Sequence, residues 1–171
     1  MSSKIKHPYH FMLGIAVGIK SLLEPHCVRI EIAGSLRRKC ELIGDIEIVC
    51  IPKPFETGLF ESGFAKVVNS MEKIKGEPTG KYTQRRLQGG ILLDIFIAEP
   101  GNWGSILAIR TGSAVYSHQV LGKGWVIAGY RMENGYLLRG KNGTDKIAVR
   151  EERDLFRFAN VLFVEPEFRN M

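Results

Sequence analysis

The chain has 171 residues, 44% of them hydrophobic and 25% charged, enough for one good core or two small subdomains of a globular protein. No apolar run approaches the roughly 20 residues of a membrane span, and Met1–Lys6 lacks the apolar segment of a signal peptide, so no membrane-spanning helix is expected and a cytoplasmic, non-secreted protein is. The net charge of +6 favours a polyanionic partner.

His7-Pro8 opens a predicted helix in which Phe11, Ile15, Ile19, Leu22 and Leu23 recur at helical spacing, and Pro25 stops it. His7, His10 and His26 are scattered about its ends and read as solvated side chains. Val28 to Ala33 alternates and is rich in β-branched residues, which predicts a strand. Gly34-Ser35 then bends the chain. Small residues there let backbone N–H groups and a hydroxyl approach an anion, and Arg38 adds a fork of donors suited to phosphate.

Asp45 to Val49 predicts a second strand. Period 2 sets Asp45 and Glu47 on one face and Ile46 and Ile48 on the other. Adjacent carboxylates repel unless a cation sits between them, and hard divalent ions take such oxygen ligands. Alone, the pair also fits a solvated hairpin. Of the three cysteines, Cys27 and Cys50 can come near each other across these strands, while Cys40 lies in the turn. The odd count and the absence of zinc spacing favour free thiols.

Pro52 and Pro54 end the strand. Thr57 is the expected cap of a second helix, with Leu59, Phe60, Phe64, Val67, Val68, Met71 and Ile74 facing inward and Gly76 as its stop. The basic run Lys81-Tyr82-Thr83-Gln84-Arg85-Arg86, the turn Gly89-Gly90 and the apolar run Ile91 to Ala98 predict a hairpin. Lys81, Arg85 and Arg86 then fit either nucleic-acid contact or a charged edge strand. The apolar run carries one acid, Asp94. A lone Asp in a buried-type strand must be paired or point at a site.

Glu99-Pro100-Gly101 is a break, dividing the chain into residues 1–99 and 100–171. Asn102 caps a short helix through Ile109. Arg110-Thr111-Gly112-Ser113 bends into a second helical run, Ala114 to Leu121, closed by Gly122-Lys123-Gly124. Trp125 to Ala128, Tyr136 to Arg139 and Ile147 to Val149 predict three short strands, with turns at Asn134-Gly135 and Lys141-Asn142-Gly143. Glu151 to Asn160 predicts a terminal helix.

Gly34-Ser35, then Asp45 and Glu47 alternating with Ile46 and Ile48, then the distant Asp94 between Leu93 and Ile95, resembles the nucleotidyltransferase superfamily that includes DNA polymerase beta. Gly34-Ser35-Leu36-Arg37-Arg38 with Glu41 and Gly44-Asp45, Thr111-Gly112-Ser113, and Glu151-Glu152-Arg153-Asp154 followed by Glu165-Pro166 are similar to motifs of the family X DNA polymerases. The resemblance runs from about Tyr9 to Arg169. It implies an α+β fold. A catalytic palm, a mixed or antiparallel sheet with helices on one face, fills residues 1–99, and a small α+β nucleotide-selection subdomain fills 100–171.

By this resemblance Asp45, Glu47 and Asp94 hold two Mg2+ ions, with Mn2+ as a substitute, and Asp94 takes the proton of the primer hydroxyl. Gly34, Ser35, Arg38 and Gly44 hold the β and γ phosphates of a dNTP. Thr111, Gly112 and Ser113 line its sugar and base, and Lys81, Arg85, Arg86 and Lys123 contact primer–template or gapped DNA. The chain departs from the family in Glu47, where polymerase members usually have Asp, and in Ile109-Arg110, which replaces an aromatic pair. The resemblance further implies a monomer of minimal form without the N-terminal lyase domain, filling short gaps in DNA repair. The alternatives are a nucleotidyltransferase with a non-DNA acceptor and a non-catalytic DNA-binding module.

Overall fold

A computed structural model describes residues 5–54 and 62–171 of the chain. The chain divides into two compact units, Met1–Ile97 and Ala98–Met171. No helix among the described residues is long and apolar enough to cross a membrane.

In the first unit, β1 (His7–Pro8) leads into α1 (Tyr9–Leu23), followed by β2 (Cys27–Ile32), the single-turn α2 (Gly34–Arg37), β3 (Leu42–Ile43) and β4 (Ile46–Pro52). Next come α3 (Gly63–Asn69), β5 (Glu72–Lys75), β6 (Tyr82–Arg86) and β7 (Leu92–Ile97). β1 pairs with β3, and the main sheet has the order β2-β4-β7-β6-β5. The pair β4–β7 is parallel; its neighbours are antiparallel. Parallel pairing needs a crossover, and α3, β5 and β6 lie within it. Met12, Ala16 and Leu23 of α1 and Phe64 and Val68 of α3 share one core with Ile46, Ile48 and Cys50 of β4 and Leu93 and Ile95 of β7. Both helices therefore cover one face of a mixed sheet. Strand alternation turns Glu47 and Asp94 to the other face.

Two expectations for these helices need correction. The buried stripe of α1 is Met12, Ala16 and Leu23, whereas Phe11 and Leu22 are 53% and 57% exposed. Apolar residues surround this helix, so spacing alone gathers Ile15, Ile19 and Leu23, which pack on the core, together with Phe11 and Leu22, which do not. Phe11, Ile15 and Ile19 line a cavity of about 520 Å³ with Leu87 and Ile91. The second helix ends at Asn69, and Ile74 lies exposed in β5. Glu72–Lys75 is held there by antiparallel pairing with β6, which overrides the helical spacing. Ser62 caps α3 by accepting from the Ala65 N–H at 3.1 Å. Thr57, Leu59 and Phe60 fall outside the described residues.

Cys27 and Cys50 are free and buried, and they share a thiol–thiol hydrogen bond across β2 and β4. That bond lowers the pKa of Cys27; the same bond, with burial, pushes Cys50 well above the usual thiol range.

The second unit contains α4 (Trp103–Thr111), α5 (Ala114–Tyr116), a π-helical stretch over Ser117–Gly122 and α6 (Lys123–Ile127). It continues with β8 (Tyr130–Glu133), β9 (Tyr136–Arg139), β10 (Lys146–Ile147) and α7 (Glu152–Phe158). The strands form an antiparallel sheet, β8-β9-β10. Asn134 and Gly135 turn the first hairpin with φ of 52° and 81°, the left-handed pair that a two-residue turn requires. Ala108, Tyr116, Leu121, Leu137, Val149, Leu155 and Phe156 form the core. Trp125 to Ala128, expected as a strand, is the end of a helix. Gly124 carries no Cβ, which would lie 2.7 Å from the Ala159 carbonyl, and Gly129 at φ 84° ends the run.

The acidic end motif has a packing role in this unit. Glu152 accepts from Arg169 Nη1 at 2.7 Å, with Arg169 fully buried between Phe156 and Phe163. The Arg169 carbonyl in turn accepts from the Ser113 N–H at 3.0 Å, tying the tail to the Thr-Gly-Ser bend.

Candidate active site

The parallel register of β4 and β7 makes Glu47 and Asp94 direct partners. Adjacent strands lie about 4.8 Å apart, so two carboxylates start from neighbouring backbone on one face. Asp45 precedes β4 by one residue and shares the parity of Glu47. Asp45 and Glu47 are half-buried, and Asp94 is 8% exposed.

The turn after β2 completes this corner. The Ala33 N–H donates to the Glu47 carbonyl at 2.8 Å, and the chain then folds into α2, with the Arg38 N–H reaching the Gly34 carbonyl at 3.1 Å. Gly34 has φ 62°, and a Cβ there would lie 1.8 Å from Glu47 Oε2. The Glu47 carboxylate is thus seated against the Gly34 backbone, and only glycine permits both the conformation and the approach. Ser35 and Arg38 are half-buried in the same turn, and Gly44 bends the chain between β3 and β4.

Asp94 is held by β6. Tyr82 Oη and Gln84 Nε2 both donate to Asp94 Oδ1, at 2.6 and 2.8 Å. Gln84 is the direct cross-strand partner of Asp94, and Tyr82 pairs with Phe96 and stacks on its ring at 5.1 Å. Sequence reasoning missed both residues. The predicted two-residue turn at Gly89-Gly90 would set Arg85 opposite Asp94; the loop is instead the three residues Gln88–Gly90, closed by the Leu87 N–H on the Ile91 carbonyl, and this shift by one brings Gln84 opposite Asp94.

Parity also corrects one predicted DNA contact. Arg85 faces away from Gln84 and is fully buried. Its guanidinium donates to the carbonyls of Val68, Lys75, Gly76 and Gln84 and to Asn69 Oδ1. Desolvation lowers its pKa, and it cannot reach a phosphate backbone. Lys81 and Arg86 are exposed, with Arg86 paired to Glu72 at 2.5 Å, and Lys123 is exposed on α6 of the second unit. In that unit Thr111 is buried at the end of α4, and Ser113 Oγ caps α5 by accepting from the Tyr116 N–H at 3.0 Å. Gly112 lies between them, half-buried.

Among the described residues no three carboxylate, imidazole or thiol groups converge on a single metal-sized point. Glu47 lies back on Gly34, and two donors occupy Asp94 Oδ1. The donor set fits a hard divalent cation in its chemistry, being three carboxylates on adjoining backbone.

No family model and no curated protein matches the sequence. Among solved structures, the chain is similar to Leishmania infantum polymerase beta, determined as a ternary P/T complex. The TM-score is 0.75 at 18% identity, covering 98% of this chain and 77% of that one. The fold is polymerase beta-like. Its mixed sheet with two helices on one face is the palm of that fold.

Proposed function

We propose that this protein is a family X-type DNA polymerase, which transfers a nucleotidyl group from a dNTP to a primer 3′-hydroxyl and fills short gaps in DNA repair. The observation that carries the reading is the in-register pair Glu47–Asp94, set beside the Gly34 turn in a polymerase beta-like fold. In the reaction the primer oxygen bonds to the α-phosphorus and the bond to pyrophosphate breaks. Asp94 receives the hydroxyl proton. Its hydrogen bonds to Tyr82 and Gln84 leave Oδ2 for that purpose. Gly34, Ser35, Arg38 and Gly44 bind the β and γ phosphates, and Thr111, Gly112 and Ser113 face sugar and base. Asp45, Glu47 and Asp94 would hold two Mg2+ ions, or Mn2+; when bound, these neutralise the triphosphate and acidify the attacking hydroxyl. Lys81, Arg86 and Lys123 contact the DNA backbone as point charges.

In this reading residues 1–99 are the catalytic palm and 100–171 the nucleotide-selection subdomain of a monomeric, cytoplasmic protein. A second reading, transfer to a non-DNA acceptor, is favoured by Glu47, where polymerase members usually have Asp.

Primer extension on gapped and blunt DNA, with Mg2+ or Mn2+, tests the proposal. Template-directed single additions are expected, reduced by about 10³-fold or more in Asp94→Ala. Absence of extension with every deoxynucleotide, despite tight DNA binding, would overturn the polymerase reading and favour another acceptor.

A further inference from the structure

The contacts that β6 makes with Asp94 go beyond what a stable sheet needs. β6 and β7 are already joined by a regular antiparallel ladder, from Tyr82↔Phe96 to Arg86↔Leu92. On this face β6 carries Tyr82, Gln84 and Arg86; Arg86 pairs with Glu72, and the other two both end on one oxygen of one carboxylate. A carboxylate oxygen offers two lone-pair sites, so two donors saturate Oδ1. We infer that Tyr82 and Gln84 are positioning residues, which fix the Asp94 carboxylate so that it presents the single oxygen Oδ2 to a divalent cation and the reacting hydroxyl. This inference deepens the proposed function and rests on it for the identity of the reaction.

Each part of the device is set by the strand. Direct cross-strand pairing fixes the start of Gln84, and its amide reaches the partner carboxylate at 2.8 Å. Tyr82 lies one pair further along the same face. Its ring is stacked on Phe96 with an interplanar angle of 29°, and Lys75 Nζ lies 5.5 Å from the ring centroid, which aims the hydroxyl back at Asp94. On the opposite face, Thr83 and Arg85 are fully buried. They bind the Lys75 and Gly76 carbonyls, so β6 is anchored from behind. The donors therefore belong to a rigid strand, as an orienting shell requires.

The test uses the full chain with Tyr82→Phe, which removes the hydroxyl and keeps the stacked ring, and the double variant Tyr82→Phe/Gln84→Ala. Mn2+ binding is titrated without nucleotide, and kcat and KM for dNTP are measured where transfer occurs. Loss of an orienting shell typically costs 10–100-fold in metal affinity or activity. The expected result is weaker Mn2+ binding by about 10-fold in the double variant. kcat should fall about 5-fold in Tyr82→Phe and about 50-fold in the double variant, with KM within about twofold of wild type.

Unchanged Mn2+ affinity and kcat in both variants would overturn the inference. A loss in Tyr82→Phe that tracks a lower Tm or a raised KM would do the same, since packing alone explains it. If the double variant does not fold, Tyr82→Phe decides. If the wild type binds Mn2+ but transfers no nucleotide, weakened binding in the variants upholds the positioning role while the polymerase reading fails. A wild type that binds no Mn2+ overturns both.

Discussion

Gly34 shows how one residue can be required twice. Its φ of 62° costs any L-residue about 1–2 kcal/mol. Its missing Cβ also leaves the space that Glu47 Oε2 occupies. Gly89 separates these demands, because its φ is 78° and nothing lies within 4 Å of a Cβ built there. Gly34→Ala and Gly89→Ala are therefore expected to lose similar stability, about 1–2 kcal/mol by urea denaturation. Only Gly34→Ala should also lose about 10- to 100-fold in nucleotidyl transfer, because a displaced Glu47 carboxylate misplaces the chemistry. Equal activity in the two variants would detach Glu47 from the site. At this scale the sequence was informative about parity and silent about destinations. Period 2 put Asp45 and Glu47 on one face. The same rule splits Arg85 from Arg86, since consecutive strand residues point apart, so a basic run on a strand cannot present every charge to one ligand. That Tyr82 and Gln84 share one Asp94 oxygen depends on rotamers, which no local pattern records.

Elements were legible where local preference and tertiary need agree. β4, β7 and the β6–β7 hairpin follow from β-branched alternation and Gly89-Gly90, and the β8–β9 turn follows from Asn134-Gly135. β5 and α6 were misread because pairing with β6 and packing beside Ala159 decide them, and neither is local. The β8–β9 hairpin also has a tie to its surroundings that spacing does not reveal. Tyr136 Oη donates to Glu99 Oε2 at 2.5 Å, while Asn102 accepts from the Glu99 N–H and donates to the Asn134 carbonyl. The bond to Glu99 raises the Tyr136 pKa to about 12. The folded value exceeds the ordinary value near 10, so the contribution is fully present below about pH 10 and is lost as pH climbs toward 12. Tyr136→Phe should cost about 1 kcal/mol at pH 7 by denaturant titration, and the gap to wild type should narrow above pH 10. A gap that stays constant through pH 11 would mean that the ring, packed against Gly101, supplies the stability instead.

At the scale of the molecule, a palm-type order of elements was legible. The parallel contact between β4 and β7 was not, because a hairpin reading pairs only strands adjacent in sequence. That contact sets an order of events in time. α3, β5 and β6 all lie in the chain between the two strands, so Glu47 meets Asp94 only through a long loop closure. Non-local pairings of this kind form late, after loop-closure entropy has been overcome. The denatured chain then holds no paired acids, and a cation bound at them favours the native state alone, by about 2.7 kcal/mol at 100 times its Kd. An interaction absent from the folding transition state acts on the unfolding limb. Stopped-flow experiments in Mn2+ should show slower unfolding and an unaltered refolding rate, whereas faster refolding would mean that the acids meet early. The ion would act as a latch that closes only after the sheet is complete, so the lifetime of the folded protein would follow the supply of its cation.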